Sequence, residues 1–172
     1  MARHAPFVLS AVLALLVGCS SVSTGGGTGT GSSSGGGSGG TSSGGASGDG
    51  STEQLCVDTI NQYRATLSLP PYARWNAEES CADGQAASDS QSGTAHGAFG
   101  QCSESAQDEC PGWPGPPSTM ITQCLAQMWA EGPGPFAQHG HYDNMSDANY
   151  TQVACGFTTL SDGSVWATQD FR

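Results

Sequence analysis

Lysine is missing altogether from the 172 residues, and Arg3, Arg64, Arg74 and Arg172 are the only fixed cations against 15 carboxylates, for a net charge of −11. A chain so poor in positive charge has no means of neutralising a phosphate backbone, which excludes nucleic acid as a partner. Electrostatic docking on anionic lipid is excluded for the same reason. No C-x-x-C pair, G-x-S-x-G elbow, H-E-x-x-H helix or phosphate loop occurs, so the usual zinc-ribbon, serine-hydrolase, zinc-protease and nucleotide chemistries have no foothold. The longest apolar run, Phe7 to Val17 broken only by Ser10, falls short of the about 20 residues that span a bilayer.

That short run has a different use. With Arg3 before it, it matches the h-region of a secretory signal. It ends in Leu16-Val17-Gly18-Cys19, which resembles the lipobox of bacterial lipoproteins. Residues 1–18 therefore read as a lipoprotein signal peptide and Cys19 as the acylated first residue of the mature chain. Residues 19–52 continue almost wholly in Gly, Ser and Thr. Nothing there can offset the entropy of ordering the backbone, so the segment reads as a disordered tether with a typical reach of about 30 Å. The expectation is an exported, membrane-anchored protein. Ser20 after Cys19 resembles outer-membrane sorting, which places it at the outer membrane or cell surface.

Residues 53–172 form the folded part. Cys56, Cys81, Cys102, Cys110, Cys124 and Cys155 are even in number and widely spaced in an exported chain, which reads as three disulfides. Cys102 with Cys110 is a plausible local closure. Ser51 and Gln54 have capping-box spacing, and Cys56, Ile60, Tyr63 and Leu67 follow on one helical face until Pro70 and Pro71 stop it. Asn76 and Glu79 suggest a second box and a helix to about Ser88. The stretch from Ser90 to Pro117 shows little periodicity and reads as a long cross-linked loop. Ser118 can cap a third helix bearing Met120, Ile121, Cys124, Leu125 and Met128. A short segment runs through Met145 after His139-Gly140-His141. Strands over Tyr150–Thr158 and Val165–Phe171 flank Asp162-Gly163, a hairpin signal. Helices first and an antiparallel hairpin last make the fold class α+β.

Asn61-Gln-Tyr-Arg64, Leu69-Pro-Pro-Tyr-Ala-Arg-Trp-Asn76, His96, Trp129-Ala-Glu131, Gly140-His-Tyr142, and the closing Tyr150-Thr-Gln-Val-Ala-Cys-Gly-Phe157 and Val165-Trp-Ala-Thr-Gln-Asp-Phe171 occur in this order. Together they resemble the CAP superfamily of cysteine-rich secretory, antigen 5 and pathogenesis-related proteins. The resemblance implies an α-β-α sandwich with a small antiparallel sheet between helical layers. It also implies a cleft of two histidines, here His96 and His141, and two glutamates. One of these is Glu131; the other is replaced by Gln107, with Asp108 or Glu109 as neighbouring acids that could compensate.

Two imidazoles and a carboxylate offer zinc three ligands, and the resemblance implies zinc as cofactor at His96, His141 and Glu131. His139 and His141 would point to opposite faces of an extended segment. Packing of the histidines by hydrogen bonds is the alternative. With a carboxylate lost at Gln107 and no nucleophile in sight, the reading is a non-enzymatic surface or periplasmic module binding a divalent metal, a lipid or a cell-surface protein. Alternatives are a metal-dependent or peptidase-like hydrolase using His96, Glu131 and His141, and a purely structural surface protein. Trp113, in a proline-rich loop, reads as a plug against the core.

Overall fold

Ser51 accepts the Gln54 amide hydrogen on its hydroxyl at 3.2 Å and so caps α1 (Thr52–Thr66), as the capping-box spacing predicts. The computed structural model describes residues 50–172. The signal segment, Cys19 and the tether as far as Asp49 lie outside the described residues. Helix α1 buries Cys56, Val57, Ile60 and Arg64. Leu67, expected on that face, is instead the C-cap and is exposed.

The Asn61-x-x-Arg64 pattern has a structural purpose. Asn61 clamps the backbone of Tyr72, donating to its carbonyl at 2.9 Å and accepting from its N–H at 2.7 Å. Arg64 is fully buried and donates to the carbonyls of Pro70, Met145 and Asp147, each at 2.9 Å. Its guanidinium also lies 3.5 Å from the centre of the Tyr72 ring. A buried charge satisfied in this way ties the end of α1 to the segment before β1 (Ala73–Arg74) and to the backbone at Met145 and Asp147.

Helix α2 (Glu79–Ser92) runs further than expected, to a left-handed Gly93 at φ 65°. Asn76 does not cap it: Glu78 is the N-cap residue, and the Glu79 carboxylate is taken by the Arg74 guanidinium at 2.5 and 2.9 Å. The stretch read as a loop contains β2 (Ala106–Pro114). Its Ala-Gln-Asp-Glu-Cys start has almost no intrinsic strand propensity, and pairing with the last strand overrides that. Helix α3 (Pro117–Ala130) starts with proline in its first turn and has no side-chain cap from Ser118. Helix α4 (Phe136–Ser146) takes in the His139-Gly140-His141 segment, with a kink at His139. Strands β3 (Gln152–Thr159) and β4 (Ser164–Phe171) form the expected hairpin, turned at Gly163 with φ 84°.

The four strands lie in the order β1-β3-β4-β2. Pairs β3–β4 and β4–β2 are antiparallel, but β1 runs parallel to β3, so the sheet is mixed and not purely antiparallel. Helix α2 packs on one face against β3 and β4, and α1, α3 and α4 cover the other. Gly156 permits the first contact: a Cβ there would collide with the backbone of Ala82 and Asp83. The core on the three-helix side joins Ile60, Tyr72, Met120, Ile121, Leu125, Met145, Val153, Val165 and Phe171, and Trp113 packs against it as a plug.

All six domain cysteines are paired: Cys56 with Cys155, Cys81 with Cys102, and Cys110 with Cys124. The expected Cys102–Cys110 closure is not made. Cys102 turns to α2, while Cys110 lies on β2 within the core against α3.

Candidate functional site

A hollow of about 220 Å³ opens between β2 and α4, lined by His96, Gln107, Asp108, Glu131, Phe136, His141 and Asn144 among others. Its two histidines arrive by different routes. His96 sits in the turns after α2 with φ 59°, a left-handed conformation unusual for a residue with a side chain. His141 is carried by α4.

Each imidazole is held by its Nδ1. His96 Nδ1 lies 3.1 Å from Gln107 Oε1, and His141 Nδ1 lies 2.6 Å from Glu131 Oε1. Glu131 also accepts from the Tyr142 N–H at 3.4 Å. The Gln107 amide is oriented by its other end, where Nε2 donates to Gln85 Oε1 and Asp170 Oδ1, both at 3.0 Å. Its carbonyl oxygen must therefore face His96, and His96 Nδ1 must carry the proton. A carboxylate dictates the same for His141. Both rings thereby leave Nε2 as the nitrogen able to accept a proton or a ligand.

Carboxyl groups surround this pair in low-dielectric positions. Asp108 is wholly buried, bonded through Oδ1 to Asn144 Nδ2 at 2.7 Å, with Oδ2 unpartnered. Burial pushes its pKa well above the ordinary carboxylate range; the Asn144 bond opposes this and Glu131 adds to it. Asp170 is pushed up to about 7, chiefly by burial and against the Gln107 hydrogen bond. Glu109 also rises to about 7 through burial and a bond with Asp89, opposed by bonds from Trp166 Nε1 and the His96 N–H. Glu109 thus turns to the α2 side, and Asp108 is the acid that lines the hollow beside Gln107.

Cysteine-rich secretory proteins, the CAP family, match residues 57–171. The chain belongs to the CAP family. The solved structure titled "Crystal Structure of Na-ASP-1" is similar in fold, with a TM-score of 0.52 at 10% identity, covering 70% of this chain and 38% of that one. The chain thus spans well under half the length of that protein. No curated protein sequence matches.

Of the CAP positions expected from sequence, His96, Gln107, Glu131 and His141 meet at one hollow. His139 does not join them: its segment is helical, not extended, and its Nδ1 donates to the carbonyls of Glu131 and Gly132 at 2.7 and 2.8 Å. Among the described residues, the groups of three or more His, Cys, Asp or Glu donors close enough to share an ion are Glu78–Cys81–Cys102 and Cys102–Glu104–Asp170. Neither contains a cleft histidine, and Cys81 and Cys102 are bonded to each other, so neither offers a thiolate. Among the described residues, the hollow offers the Nε2 atoms of His96 and His141, one fewer than the three protein ligands of an open zinc site, so an ion there would need water or a ligand for its remaining positions. Gln85, Asn144 and Asp170, which orient the polar groups, were not legible in advance, because no local signal marks a helix or strand residue as the partner of a distant side chain.

Proposed function

We propose that this CAP chain is an exported envelope protein, anchored through acylated Cys19 and its Gly/Ser tether, which acts as a non-hydrolytic binding module. Its cleft takes a divalent metal, zinc, on Nε2 of His96 and His141. The observation that carries this reading is the shared tautomer: two imidazoles at one hollow, each with Nδ1 tied back to Gln107 or Glu131. When bound, zinc would supply a Lewis-acidic point for a donor atom of the ligand. Gln107 stands where a carboxylate would be needed for general-base work, and Glu131 is engaged with His141, which argues against hydrolysis.

Zinc titration by calorimetry tests this. His96→Asn is the cleaner variant at that position, since asparagine tolerates the left-handed backbone. Micromolar binding lost in both His96→Asn and His141→Ala is the expected result. Equal binding by parent and both variants would sink the assignment.

A further inference from the structure

Three carboxyl groups crowd one disulfide. Glu78, the N-cap residue of α2, lies with Cys81 and Cys102 so that one donor atom from each falls within 4.8 Å of the others. Cys102, Glu104 and Asp170 form a second such group around the same Cys102 sulfur. Glu104 spends both oxygens on the chain: Oε1 accepts from Gln85 Nε2 at 2.7 Å and from the Gly100 N–H, and Oε2 accepts from the Cys102 N–H at 2.8 Å. Asp170 does not. It is fully buried, its Oδ1 takes the Gln107 amide at 3.0 Å, and its Oδ2 has no partner. Burial raises the Asp170 pKa, and the charges of Glu104 and Glu78 add to it, so the three acids act on one another.

This bridge is also the most accessible of the three. Cys56, Cys155, Cys110 and Cys124 are at most 3% exposed, whereas Cys81 is half-buried. A thiol in solvent therefore meets the Cys81 side of this bridge before either of the others.

We infer that reduction of the Cys81–Cys102 bridge by a dithiol turns this spot into a site for a thiophilic divalent cation of the zinc and cadmium class, held by the two sulfurs, Glu78 and Asp170 Oδ2. The dithiol gives two electrons to the S–S bond and closes to its own disulfide. The two thiols so formed lose their protons to solvent as the ion takes both sulfurs. Two thiolates and two carboxylate oxygens make a tetrahedral shell whose ligands stand about 3.5 Å apart, within small movements of where these donors lie. The ion gives Asp170 Oδ2 the partner it lacks and offsets the repulsion among the acids. No cleft histidine takes part, so this site and zinc binding at His96 and His141 stand or fail separately.

The test uses the full chain carrying Cys19→Ser, which removes the one cysteine outside the bridges. A trialkylphosphine supplies the two electrons under argon, leaves as its oxide with an oxygen from water, and is removed by gel filtration once one bridge has opened. Alkylation and mass spectrometry map the new thiols, expected at Cys81 and Cys102. Cadmium chloride is then titrated against the sulfur-to-cadmium charge-transfer absorption in the ultraviolet. The expected result is a band that saturates at one cadmium per chain and is absent from the oxidised protein. Glu78→Gln and Asp170→Asn should each weaken cadmium binding at least about tenfold. His96→Asn and His141→Ala should leave the band unchanged. No band in protein whose thiols map to Cys81 and Cys102 overturns the proposal. Undiminished affinity in either carboxylate variant overturns it as well, since the sulfurs would then be binding without that ligand. Opening of another bridge first, or loss of the far-ultraviolet circular dichroism of the fold on reduction, has the same force.

Discussion

His96 directs its Nδ1–H at the side-chain oxygen of Gln107, 3.1 Å away, and the tautomer of the ring is fixed by a buried amide that has no freedom to turn over. The chain continues behind it. Gln107 Nε2 rests on Gln85 and Asp170, and Gln85 Nε2 rests on Glu104 at 2.7 Å and the Ala98 carbonyl at 3.0 Å. Glutamine fits this position because its donor end faces two acceptors.

Restoring the carboxylate should therefore harm the protein. In Gln107→Glu, an acceptor meets the oxygens of Gln85 and Asp170 in a buried site. Loss of about 1–3 kcal/mol is expected. Urea unfolding at pH 8 measures it; an unchanged midpoint would show that the network can rearrange.

The raised acids set the pH dependence of stability. A carboxyl held at about 7 in the fold, as Asp170 is, stays protonated where the unfolded chain has already ionised. The unfolded state then binds fewer protons, so the stability this group contributes is complete below about pH 4 and drains away as pH rises toward 7. Glu109 and Asp108 act in the same direction. Thermal melts should fall from pH 4.5 to 8, and Asp170→Asn should flatten that slope and melt higher than the parent at pH 8. A melting temperature that climbs over this range contradicts the assignment.

Helix α2 rests on β3 through a missing side chain. Gly156→Ala puts a methyl group into the Ala82–Asp83 backbone and should cost about 1–3 kcal/mol by overpacking. Because α2 leads into the turns that carry His96, the variant should also move the His96 ring signals in NMR. Unmoved ring signals would show the two regions to be independent.

The bridges should differ in worth. Cys56–Cys155 joins residues 99 apart in sequence, and Cys110–Cys124 joins residues 14 apart. Chain entropy assigns about 4.7 kcal/mol to a loop of about 100 residues and about 3 to one of about 15. Paired Cys→Ala variants, compared by urea midpoint, should lose stability in that order.

What was legible in the sequence was whatever local chemistry decides. The Ser51 cap, the apolar faces of α1 and α3 and the Asp162-Gly163 hairpin each rest on residues a few positions apart, and each is present. The same capping rule misled at Asn76, since Arg74 competes for Glu79. Strand β2 was illegible because its Gln-Asp-Glu run is buried by partners some 60 residues later in the chain, Asp170, Gln169 and Thr168. For the site, family order supplied His96, Gln107, Glu131 and His141. Which of the neighbouring acids faces the hollow is set by the phase of β2, which no local pattern in its Ala-Gln-Asp-Glu start marks.

The Cys81–Cys102 bridge straddles the turns that hold His96. Those turns are exposed except at Ala98, so a protease can reach them. A single cut between Gly93 and Gln101 would leave both halves covalently joined, with α2 still seated on the sheet. Such a nicked protein would run as one band on a non-reducing gel and as two after reduction, so damage at this point would go unseen until a reductant arrived.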